Sequence, residues 1–128
     1  MRVDLRSRLK ANATITGIVG TAIDWNRRTG MPALVLYNIS PGRAYTHSGA
    51  TGLSGSRVQF DCMSKSLPQA EALFNAVLAE MEQAKTVGTT AFSMSFLDSQ
   101  RDMQTVDIDG VGAVGGISAD FFVWWKPI

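Results

Sequence analysis

Apolar residues recur at helical spacing over one long segment. Ala70, Leu73, Phe74, Val77, Leu78, Met81 and Ala84 follow an i, i+3, i+4 rhythm, with Gln69, Glu71, Asn75, Glu80 and Glu82 elsewhere on the wheel. This predicts an amphipathic helix over about 67–85. Pro68 falls in its first turn, where a missing N–H is harmless, Ser66 and Gln69 have capping-box spacing, and Gly88 ends it. Residues 2–11 predict a shorter helix with Leu5 and Leu9 one turn apart. Asn12 then caps a second short helical turn, "ATITGIV", which Gly20 stops.

Other segments carry strand patterns. "AIDWN" is a weak strand before the turn "RRTGMP". "ALVLYNIS" (33–40) is apolar on both parities through Tyr37, which predicts a strand covered on both faces and broken by Pro41-Gly42. "RAYTH" continues as the next strand. "RVQFDCM" alternates, with Val58, Phe60 and Cys62 on one face and Arg57, Gln59, Asp61 and Met63 on the other. "TAFSMSFL" aligns Phe92, Met94 and Phe96; "MQTVDID" is a weaker strand and "GVGAVGG" a flexible connection. The closing "ISADFFVWW" puts Ile117, Ala119, Phe121, Val123 and Trp125 together. The order predicts one α+β domain over 1–128: a mainly antiparallel β-sheet packed against one long helix, with short N-terminal helices.

If one sheet face packs on the long helix, the other parity should be polar. Leu34, Leu36, Phe122 and Trp124 break that rule. Either the N-terminal helix covers them, or they form an exposed patch used in self-association, which makes them candidate subunit contacts.

Composition narrows the class. With 128 residues, 45% hydrophobic and 18% charged, the chain is an ordinary globular domain rather than a disordered one. The net charge of +1 hides an asymmetry: residues 1–70 carry nine Lys/Arg and three acids, residues 71–128 three bases and eight acids. The folded chain either mixes these charges over one surface or presents opposite signs on opposite sides, suited to head-to-tail contact between copies. Cys62 stands alone, so no intrachain disulfide forms and a reducing compartment, or a virion made in one, is expected. The basic N-terminus precedes an apolar stretch too short and too polar for a signal peptide, and no segment has the length of a membrane span.

Candidate chemistry is sparse. The glycines of "GATGLSGS" precede a strand rather than a helix, with the wrong spacing for a dinucleotide fingerprint and no Gly-Lys-Ser/Thr of a P-loop. They read as slack between strands. His47 is the only histidine, Cys62 lies on an apolar strand face, and Asp98, Asp102, Asp107 and Asp109 do not match a calcium loop. No catalytic, cofactor-binding or metal-ligating residue is assigned, and no cofactor is expected.

The order of features resembles the phage tail-completion, or tail-terminator, proteins. The resemblance covers nearly the whole chain: "ITGIVG", "MPALVLYNIS", the block "GATGLSGSRVQFDCMSKSLPQAEALFNAVLAEM", "SFLDSQRDMQ" and "ADFFVWW". "TAIDWN" departs from the family's charged lead into an aromatic strand. The resemblance implies a structural protein of phages, prophages or gene transfer agents, forming a ring, commonly a hexamer, at the head-proximal end of the tail tube. Its implied partners are further copies of itself, the tail tube protein and the head connector or neck proteins. DNA passes through the lumen without sequence-specific binding, and no membrane is involved. Assembly in the bacterial host cytoplasm and a place at the tail–head junction of the virion follow. Leu53, with flanking Arg43, Tyr45 and Arg57, is then the candidate interaction loop. The competing class is a dimeric, cofactor-free α+β barrel enzyme, or a small-ligand-binding protein, using His47 and the tryptophans on an aromatic or polyketide-like substrate.

Overall fold

The helical periodicities become helices. The structure, a computed structural model, describes residues 1–40, 45–46, 49–50 and 54–128. Helix α1 spans Arg2–Lys10 and α2 spans Ala13–Val19. Asn12 caps α2, its side-chain oxygen accepting from the N–H groups of Thr14 and Ile15 at 3.0 and 3.1 Å. Helix α3 runs Leu67–Met81 and stops short of the expected residue 85. The reason is tertiary. Arg8 of α1 donates to the carbonyls of Glu80 and Gln83, taking up the end of the helix, and the chain turns into strand at Lys85. The expected capping box is also replaced. Ser66 makes no side-chain cap bond; instead the Ser64 hydroxyl donates to Gln69 at 2.7 Å and accepts from the Ser66 N–H.

The strands are β1 (Ile23–Trp25), β2 (Ala33–Ser40), β3 (Tyr45–Thr46), β4 (Gly49–Ala50), β5 (Ser54–Ser64), β6 (Lys85–Val87), β7 (Thr90–Phe92), β8 (Phe96–Ile108) and β9 (Gly112–Pro127). The main sheet has the order β1-β2-β5-β9-β7-β6, with β8 also pairing β9; β3 and β4 pair separately. All pairings are antiparallel except β1 with β2. The α+β expectation holds: α3 packs on β5 and β9, and α1 touches both β1 and β6.

Register decides which face is the core. Leu34 lies opposite Cys62 and Leu36 opposite Phe60, while Val58, Phe60 and Cys62 lie opposite Phe121, Ala119 and Ile117. All of these side chains therefore share the helix-facing side, and all are buried. Phe60 and Phe121 meet edge to face at 5.1 Å between centroids. Leu34 and Leu36 are thus core residues, and their expectation as subunit contacts is corrected. Val35 on the opposite face is buried too, so β2 is covered on both sides there, as its composition predicts.

Two further expectations give way. "GVGAVGG" is not a loose connection: β8 continues to Ile108, a short turn carries Gly110 at φ +79°, and β9 begins at Gly112. Gly116 is required where β9 crosses Cys62, because a β-carbon there would lie on the Cys62 carbonyl oxygen. The single strand expected over 91–97 divides into β7 and the start of β8. Between them the Ser93 N–H donates to the Trp124 carbonyl and the Ser95 N–H to the Met81 carbonyl. Phe92 is consequently buried and Phe96 exposed.

Candidate assembly surface

The sheet face turned away from α3 carries three rows of cross-strand partners. Arg57, Phe122 and Phe96 form the first, Gln59, Asp120 and Ser99 the second, and Asp61, Ser118 and Arg101 the third, each taken from β5, β9 and β8 in turn. Alternation in β5 and β9 brings these side chains to one side.

Arg57 binds the rows together. Its guanidinium lies 3.0 Å from Asp120 and 2.6 Å from Asp98, and 5.5 Å from the centroid of the Phe122 ring. The hydrogen bond to Asp120 holds Arg57 more firmly in its charged form, with Asp98 adding to the field. Asp120 is nearly buried, and its second oxygen has no hydrogen-bond partner among the described residues; the Arg101 guanidinium stands 3.8 Å from it. Below, Ser118 donates to Asp61 at 2.7 Å, Gln59 donates to Asp61 at 2.9 Å, and Arg101 donates to Gln59 at 3.3 Å. This polar lattice joins β5, β9 and β8 on the face turned away from α3.

Exposed apolar residues gather at one end of this face. Phe96 is 53% exposed and Phe122 38% exposed, with exposed Met94 just before β8. Trp124 is half-buried, packed on Gly55 across the ladder. Of the four candidate subunit contacts, Phe122 and Trp124 therefore reach the surface and the two leucines do not.

The candidate interaction loop lies only partly within the described residues. Arg43 and Leu53 lie outside the described residues, as does His47, and for Tyr45 only its backbone pairing with Ala50 is described. "GATGLSGS" is not wholly slack between strands, since Gly49 belongs to β4 and Gly55 to β5. Arg57, expected at the flank of that loop, lies within β5, with its guanidinium bound to Asp98 and Asp120.

Elsewhere, opposite charges from the two halves of the sequence meet within the fold. Arg8 is buried and donates to Glu80 at 2.9 Å, while Asn12 and Lys85 also donate to that carboxylate. Burial pushes the Glu80 carboxyl up, but these donors outweigh it and hold the group below the ordinary carboxylate value. Cys62 is buried in the core; burial, with Asp61 adding to it, pushes its thiol far up and disfavours the reactive thiolate. Among the described residues no group of three or more His, Cys, Asp or Glu side chains could hold a metal ion. Two grooves, of about 350 and 320 Å³, flank Lys65 at the start of α3, one beside Met31 and Gln69, the other beside Asp102 and Thr105.

The sequence pattern did not reveal the Arg57–Asp120–Asp98 cluster. The available signal was parity: Asp120, Phe122 and Trp124 share one face of the closing strand, as Arg57 and Gln59 share one face of β5.

No protein-family model matches the chain, and no curated protein matches it. Among solved structures, one chain aligns over 96% of this chain and 95% of its own, at 14% identity and a TM-score of 0.52. The fold is similar to that of a chain in the virion of a native gene transfer agent particle, at a TM-score of 0.75 and 14% identity, covering 98% of this chain and 94% of that one.

Proposed function

We propose that this chain is a structural virion protein of a phage or gene transfer agent, and within that class a tail terminator. It forms a ring, of six copies in the reading the sequence resemblance favours, at the head-proximal end of the tail tube. There it stops tube polymerisation and offers a surface to the head connector, leaving a lumen for DNA. The observation that carries this reading is the end-to-end likeness of fold to a chain of a gene transfer agent virion. Two features support it. A polar lattice braces the sheet face turned away from α3, and large apolar side chains remain exposed beside it. In this reading Arg43, Tyr45 and Leu53 meet the tube or the connector, and Phe122 and Trp124 meet a neighbouring copy.

Deletion of the gene from its particle, followed by electron microscopy, tests the proposal. The expected result is tails of irregular length with heads left unjoined, both restored when the gene is supplied in trans. Particles of normal length and normal joining without the gene would overturn it.

A further inference from the structure

Strand β8 differs from its neighbours in having no buried residue along its thirteen positions. Its inner side pairs with β9, and among the described residues no strand pairs its outer side. A long open edge is a template for another chain. Its two ends differ in chemistry. Phe96, beside Phe122, makes the start apolar. Toward the turn, Asp102, Asp107 and Asp109 are exposed, and none of them has an ion-pair partner among the described residues.

The opposite edge of the sheet, at β1, has the complementary character. Arg2, Arg6, Arg27 and Arg28 surround that strand, where, among the described residues, Asp24 alone pairs with them, at 3.7 Å from Arg6 and 2.7 Å from Arg27. Arg2 lies over the Trp25 ring, and among the described residues Arg28 bonds only a carbonyl, that of Gly30. Val3 of α1, 78% exposed, adds an apolar contact.

We propose that the β8 edge of one copy takes the α1–β1 edge of a second copy of this chain. This contact rests on the ring proposed above and names its two surfaces. The charges choose the occupant: two β8 edges facing each other across a twofold axis would bring the free aspartates together, whereas opposite edges bring aspartate to arginine. Each copy presents both edges, so the contact is heterologous and repeats around a ring. Register irregularities at Leu97/Ser99 and Met103/Val106 interrupt the regular ladder of β8, which is continuous only over 96–97, 99–103 and 106–108. Side chains at its two ends therefore carry the contact, rather than a long added strand.

Charge exchange tests it in the purified full chain. One variant carries Asp102→Lys and Asp107→Lys, the other Arg2→Glu and Arg28→Glu; circular dichroism checks the fold, and native mass spectrometry with light scattering at low salt reads assembly. Each variant alone should raise the dissociation constant of the assembly at least tenfold. A mixture of the two should restore it, since each then meets an oppositely charged edge. Asp102→Asn with Asp107→Asn, a milder change, should weaken assembly in the same direction and guards against misfolding of the lysine variant. An unmodified chain that stays monomeric, a folded variant that assembles normally, or a mixture that fails to reassemble would each overturn the contact. The ring reading has its own test: if the unmodified chain assembles and the folded exchanges change nothing, this contact is wrong while gene deletion still decides the tail role.

Discussion

Gly55 of β5 and Trp124 of β9 are cross-strand partners, and the indole lies over the glycine so closely that a β-carbon there would stand 2.6 Å from its nearest ring carbon. Real β-carbons do not approach a neighbour that closely. The missing side chain is therefore the seat of the indole, which leaves Trp124 half-buried while Phe122, two residues away, stays exposed.

Gly55→Ala should displace the indole and destabilise the fold by about 1–3 kcal/mol, as overpacking does. Urea titration followed by tryptophan emission would read both the loss and the altered ring environment. Gly17→Ala is the control. It lies within α2 with open space around it, and alanine there should stabilise by up to about 1 kcal/mol. Equal effects at the two positions would show that the indole is not seated on Gly55.

The apolar residues divide into core and surface. Leu36→Ala should cost about 2–5 kcal/mol because Leu36 is fully buried. Phe122→Ser and Trp124→Asp should lower assembly more than folding if their face meets a neighbour. Circular dichroism melts alongside light scattering separate the two effects. A Trp124→Asp variant that unfolds before it dissociates would place Trp124 in the domain core instead.

Arg57 joins three strands through two carboxylates, one of them nearly buried. Arg57→Met should lower Tm clearly, since it leaves Asp120 facing Arg101 alone at 3.8 Å. Asp98→Asn should lower it much less, because Asp98 is a third exposed and its charge is solvated. Equal losses from both would mean the lattice holds no more than a surface ion pair.

Acid should loosen the attachment of α1 to α3. The Glu80 carboxyl is held below its ordinary value in the folded chain, so its ionised form stabilises folding at neutral pH. That contribution is present above the unfolded carboxylate value, about 4.3, and is lost as pH falls through the folded value. Glu80→Gln should lower Tm at pH 7 and flatten its fall below about pH 4.3. Glu80→Ala, which strands the buried Arg8 guanidinium, should cost about 3–5 kcal/mol. A Tm–pH curve unchanged by Glu80→Gln would assign the acid limb to other carboxylates, Asp4 and Asp24 among them, which are also held low.

Cys62 should not react with a thiol reagent in the native chain and should react fully in urea, because burial disfavours the thiolate. Rapid native modification would mean that the sheet opens between β2 and β5.

Local pattern was enough for much of the architecture. The Leu5–Leu9 spacing, the Asn12 cap, the apolar run of β2, the alternation of β5 and the inner stripe of α3 as far as Met81 are consequences of neighbouring residues, and each appears in the structure where the sequence places it. What the pattern could not determine was which face would be covered, because periodicity groups side chains without naming what lies over them. Leu34 and Leu36 needed their register against Cys62 and Phe60 to be recognised as core. The glycines at 112–116 needed the approach of β5 to be recognised as strand. Arg57 meets Asp120 from sixty-three residues away, and the end of α3 is set by an arginine of the first helix. These are pairings between distant segments, and only the packed chain brings them within reach of one another.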